Sequence, residues 1–158
     1  MNRTEKWTQT LADARSALLE TLNGLSPEQW EQVVFGEGEQ WTVNTVVSHI
    51  IDGERGMSIQ VHKILKGEET LPEGFDLTRW NAGVKKRIGG LSPGELLAGL
   101  ESTRARTLQG LQGLADEDWE RTGRHPSQGV ITVEQYYETI AGHDRMHLQH
   151  IKTALEAA

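Results

Sequence analysis

His143 and His147 stand four residues apart in the closing stretch ITVEQYYETIAGHDRMHLQHIKTALEAA. On an α-helix that spacing puts two imidazoles on one face, one turn apart, where both can grip a single cation. The zinc proteases use the same spacing but place a glutamate beside the first histidine as base, whereas Asp144, Arg145 and Met146 fill the interval here. His150 falls on the same face and is a candidate to replace either neighbour as a ligand. The alternative is a pair of core histidines satisfied by a carbonyl or a carboxylate. A third donor from elsewhere in the chain decides between the two.

The closing segment reads as a helix because Val133, Tyr136, Ile140, Ile151 and Leu155 recur with the 3.6-residue period, and both histidines lie on that stripe. Thr132 caps it and Gln135 completes a capping box, so the helix starts near Val133. A second capped helix starts at Thr42, behind Trp41, and ends near Lys66 and Gly67. It carries His49 in its second turn, on a stripe with Val46, Gly53, Gly56 and Ile64, so His49 faces inward. Glycine inside a helix costs about 1 kcal/mol relative to alanine. Two of them beside His49 leave room for a ligand or for a closely packed helix. His62 lies on a more polar, solvated face.

The remaining elements complete a bundle. Residues 4–23 form a first helix on Trp7, Leu11, Ala14, Leu18 and Leu22, stopped by Gly24. Ser26, Pro27 and Gln29 predict a short helical turn, followed by a polar loop from Gly36 to Gln40. Residues 67–91 read as a long connection with at most a short helix around 78–87, and such connections often cover sites. Ser92, Pro93 and Glu95 open a further helix of about twenty residues, and a polar loop to Gly129 leads into the last one. Strand signals are nearly absent, VVF at 33–35 being the best of them. LSPEQW at 25–30 and LADEDW at 114–119 are offset by 89 residues, and the helix starts at Thr42 and Thr132 by 90. Two similar helical pairs predict an all-α four-helix bundle with a long crossover between helices 2 and 3, one domain over residues 1–158.

Composition narrows the chemistry. The formal net charge is -7 and no Lys/Arg run exceeds Lys85 to Arg87, which argues against binding nucleic acid or an anionic membrane. With no cysteine, thiolate nucleophiles and thiolate metal ligands are excluded, so any metal site is built from His, Asp and Glu. The start MNRTEKWTQT lacks the apolar core of a signal peptide and no apolar run approaches a membrane span, so the expected location is cytoplasmic. Trp30, Trp80 and Trp119 are candidates for a pocket or an interface, or for core and loop anchors.

His49 is the obvious third donor, because bundles build metal sites from side chains on facing helices. Three imidazoles leave at least one position open, as a catalytic site requires. His49 behind Trp41, Thr42 and Val43, then Glu54-Arg55, Trp80-Asn81 and the closing GHDRMHLQHI, resemble the DinB/YfiT-like superfamily of metal-dependent enzymes, in order and over nearly the whole chain. The resemblance implies an antiparallel four-helix bundle, often a homodimer, with a divalent metal held by His49, His143 and His147.

Two reactions fit such a site. One is hydrolysis, in which the cation polarises water for attack on an ester or amide; the other is transfer of a low-molecular-weight thiol, which a cysteine-free chain must take from solution. Either implies a small-molecule substrate. A bundle that holds metal or ligand without turnover is the third possibility. Asp52 and Asp144 are candidate acceptors for ligand N–H groups, though exposed helix acids are the simpler reading of both. Zinc or nickel suits the donors first, with iron, cobalt, copper and manganese also compatible.

Overall fold

The computed structural model describes residues 1–158. Four long helices carry the fold: α1 (Arg3–Asn23), α3 (Val43–Leu65), α6 (Pro93–Gln112) and α7 (Val133–Glu156), with short α2 (Pro27–Trp30), α4 (Leu77–Ala82) and α5 (Val84–Ile88) between them. Their starts are fixed by the side chains the sequence pointed to. Ser26, Ser92 and Thr132 each accept from a backbone N–H three residues on, within a full capping box, and Thr42 caps α3 through Thr45 N–H. Asn2 does the same for α1. No helix is long and apolar enough to cross a membrane.

Strand is as sparse as the sequence suggests, and its best signal, VVF at 33–35, is a strand; the polar loop read before Gly129 is the part that needs correction, because it is a hairpin. Two antiparallel hairpins are present, β1 (Val33–Phe35) with β2 (Trp41–Thr42), and β3 (Thr122–His125) with β4 (Gly129–Thr132). Neither is long enough to show the alternation that marks a strand in a sequence. The second holds together by backbone pairing and a turn that Gly129 permits at φ 72°. β3 also lies directly on α3: a Cβ at Gly123 would sit 2.6 Å from Ile64 Cγ1 and 2.9 Å from Thr70 Cγ2. Gly123→Ala is therefore expected to cost about 1–3 kcal/mol as an overpacked contact. A thermal melt should show it as a drop of roughly 2–4 °C per kcal/mol, and an unchanged midpoint would contradict the packing.

The repeat read from the sequence is present in three dimensions. Each half runs long helix, short turn, hairpin, long helix, the second turn being a 3-10 helix at Asp116–Glu120. The pairing of the helices is less obvious. α1 packs on α7 and α6, and α3 packs on α6 and α7, so the two long helices of one half lie diagonally and find their neighbours in the other half. The turn and hairpin of each half bridge that diagonal. Residues 66–92 make the long crossover between α3 and α6 and carry α4 and α5.

The core has two apolar clusters of 14 buried residues each, one around Leu11, Trp119 and Tyr136, the other around Leu18, Ile50 and Leu100. Trp30 and Trp119 are buried core anchors, while Trp80 is exposed. Between the clusters each long helix contributes one buried charge: Arg15, Glu54, Arg104 and Asp144. Arg15 donates to Asp144 at 2.9 Å and to Glu54 at 2.6 Å, and Arg104 donates to Glu54 at 2.9 Å and to Asp144 at 3.0 Å. The arrangement is reciprocal, because Arg15 also donates to Leu100 O on α6 and Arg104 to Leu11 O on α1. Two positive and two negative groups cancel inside the bundle, as buried charges must.

Candidate metal centre

Asp144 is thus not an exposed helix acid: it is 1% accessible and committed to two arginines. Asp52 is committed as well, to Arg87 at 2.7 Å, and Arg87 in turn stacks over the Trp80 ring at 3.8 Å. Neither acid contacts a histidine ring. The Asp52–Arg87–Trp80 chain instead pins the long crossover against α3 beside the histidines.

α3 and α7 pack together and bring His49, His143 and His147 to one point. The Nε2 atom of His143 lies 3.1 Å from Nε2 of His49 and 3.1 Å from Nε2 of His147. One donor atom from each ring falls within 4.8 Å of the others. Gly53 makes the approach possible, since a Cβ there would stand 3.2 Å from His143 Cε1. This accounts for one of the two glycines beside His49; the other, Gly56, has nothing within 4 Å and borders open space.

The rings are held neutral. Burial pushes His49 down to about 4, with the neighbouring His143 adding to the effect. Burial likewise pushes His143 down to about 4 and His147 down to about 2. Neutral imidazoles offer lone pairs, and His143 Nε2 meets two other nitrogens with room for only one hydrogen. A cation among the three satisfies all of them. At a metal–nitrogen distance of about 2.1 Å, each of the two 3.1 Å edges subtends roughly 95° at the ion, so His143 can share one ion with either neighbour, while the His49–His147 edge is bounded by 4.8 Å. The donor set therefore fits a divalent metal.

His150 is placed outside the triangle. Its Nδ1 lies 3.2 Å from Nδ1 of His147, on the side of that ring turned away from the other two histidines. With His147 donating and His150 accepting, the His147 lone pair is fixed on Nε2, the tautomer a ligand needs. His62 is exposed, as its polar face implied.

All three histidines line a cavity of about 740 Å³. Gly53, Gly56 and Met57 form its α3 wall, and Leu71, Phe75 and Leu77 from the crossover cover it. It opens past Ile59, Trp80 and Met146, three of the few large apolar side chains left exposed. Sequence reasoning missed the far wall, where His125, Ser127 and Gln128 from the second hairpin enter the cavity. That hairpin was read as a loop, and no periodic pattern marked it.

Gly53→Ala separates site from scaffold. Alanine improves helix propensity by about 1 kcal/mol, yet its Cβ presses on a ring already in contact with two others. The expected outcome is an unchanged or higher melting point together with about 10-fold weaker metal binding, the lower end of what ligand-orienting groups contribute. Calorimetric metal titration alongside a melt reads both.

The DinB superfamily family model matches residues 10–151. A relative from Oceanobacillus iheyensis, named as an inferred metal-dependent hydrolase, is 26% identical over 147 residues, covering 92% of this chain and 82% of its own. YfiT from Bacillus subtilis, described as an inferred metal-dependent hydrolase with an unusual four-helix bundle topology, superimposes with a TM-score of 0.79. It is 25% identical, over 98% of this chain and 86% of that one. The mycothiol-dependent maleylpyruvate isomerase shares the fold at a TM-score of 0.75 and 16% identity, over 94% of this chain and 60% of that one.

Proposed function

Since the chain belongs to the DinB superfamily, we propose that it is a metal-dependent hydrolase of small, largely apolar molecules, with His49, His143 and His147 holding a divalent cation, zinc or nickel. The observation that carries this reading is the convergence of three neutral Nε2 donors on the wall of a roomy cavity. When bound, a divalent cation with three neutral ligands supplies Lewis-acid polarisation and brings the pKa of water toward neutrality. The protein's own residues orient and exclude. His150 fixes the His147 tautomer, Gly53 lets His143 into the cluster, and the crossover pinned by Arg87 and Asp52 shields the reacting end from bulk water. The only carboxylate lining the cavity is Asp52, already paired with Arg87, so it is not offered as a general base.

A second reading is transfer of a low-molecular-weight thiol. It is supported by the likeness of fold to the mycothiol-dependent isomerase and by a chain that has no thiol of its own. One experiment tests both: metal analysis of protein purified without a polyhistidine tag, then turnover of p-nitrophenyl esters with and without mycothiol, bacillithiol or glutathione. Metal-dependent ester cleavage that ignores added thiol is the expected result. Cleavage or addition that requires a thiol moves the assignment to transfer, and metal-loaded protein inert in every arm moves it to a non-catalytic metal-binding bundle.

A further inference from the structure

The cavity has a second polar end that the histidine triangle does not use. Gln60 and Lys63 stand farther along α3 than Gly56, and Thr70 and His125 face the same space from the crossover and the second hairpin. Gln60 is only 8% accessible, and its buried Oε1 has no hydrogen-bond partner. An unpaired buried carboxamide costs about 1–3 kcal/mol, so its place on a cavity wall points to a ligand.

His125 is equally specific. Its Nδ1 accepts the backbone N–H of Ser127 at 3.1 Å, which puts the proton of the neutral ring on Nε2. Burial lowers its pKa and keeps it neutral. No acceptor in the protein takes the Nε2–H, and the residue lines the cavity. Charge completes the pattern. Of the charged side chains that line the space, Asp52 is neutralised by Arg87, whereas Lys63 has no carboxylate partner.

We propose that Gln60, Lys63 and His125 form a carboxylate-recognition subsite, so that the substrate is an organic acid with an apolar body, its carboxylate at this end and its reacting group toward the histidines. Lys63 supplies the charge and His125 Nε2–H supplies a directed donor. The Gln60 oxygen is left for a hydroxyl or amide N–H beside the carboxylate. Met57, Leu71 and Phe75 line the same cavity and suit an aliphatic or aromatic body. The inference deepens the hydrolase reading and rests on taking the histidine triangle as the reacting end.

The test is titration of the full chain with octanoate and, separately, with 1-octanol, followed by the fluorescence of Trp41 and Trp80, which both line the cavity. Wild type is expected to bind octanoate at least about 10-fold more tightly than octanol, a ratio that corresponds to 1.4 kcal/mol. Lys63→Met and His125→Phe should each erase most of that preference and leave octanol binding in place, while Lys63→Arg should retain it. The same titration on His147→Ala separates the two assignments. A preference that survives His147→Ala places the carboxylate at the Lys63 end whatever the metal content. The proposal is overturned if wild type shows no preference, if octanoate does not bind saturably, or if the preference vanishes in His147→Ala but persists in Lys63→Met.

Discussion

Asp144→Ala is expected to destabilise the protein by about 3–5 kcal/mol, the usual penalty for leaving buried charges without their partner. Arg15 and Arg104 both donate to this carboxylate and both are 5–6% accessible, so water cannot take over the lost bonds. Against a total stability of about 5–15 kcal/mol, such a loss leaves the chain partly unfolded at ordinary temperature. Urea melts at neutral pH measure it, and a loss below about 1 kcal/mol would show that the arginines reach solvent after all.

The same network sets the response to acid. Burial alone pushes the Glu54 carboxyl up, but the hydrogen bond and charge of Arg104, the charge of Arg15 and the Thr107 hydroxyl outweigh it and hold the group below its usual value. The unfolded chain therefore takes the proton first. Glu54's contribution is fully present above its ordinary value of 4.5 and disappears as pH falls through the lower value of the folded state. Stability measured downward from that point should fall steeply in wild type and less steeply in Glu54→Gln.

His147→Ala should remove the metal and leave the scaffold standing. A lost ligand is expected to weaken divalent-metal binding by more than the 10–100-fold that outer groups carry, here at least about 100-fold. Wild type held at a metal concentration a hundred times its Kd gains about 2.7 kcal/mol of apparent stability, and the variant should gain almost none. The metal-free variant should melt lower than wild type, because His147 is buried and its ring packs against His49, His143 and His150, so the gain on adding metal rather than the midpoint itself is the readout. Equal metal content in wild type and variant would end the three-histidine assignment.

How much of this the sequence disclosed follows from how local each signal is. The starts of α2, α3, α6 and α7 were readable because a cap and its N3 partner sit within four residues of one another. The shared face of His143 and His147 was readable for the same reason, and the inward face of His49 because it lies on the stripe of a main helix with Val46 and Ile64. The charge layer was not readable: Arg15 lies 129 residues from Asp144 and Arg104 lies 50 from Glu54, so their partners exist only once the bundle has formed. Asp144 accordingly looked like a solvated acid. His125 was hidden in a strand whose four residues, TGRH, have no apolar member, and it packs against the Tyr136 ring of α7. The sites dictated by neighbours in sequence were legible, and those dictated by neighbours in space were not.

The diagonal placement of α1 against α3, and of α6 against α7, makes the chain a braid of two equal strings. Cut within the crossover, either string would keep two helices that barely touch each other and whose oily stripes have lost their cover. Stability of one piece is therefore inseparable from the presence of the other. Two severed pieces mixed together should rebuild the whole, and two intact copies have in that crossover a ready hinge for trading halves.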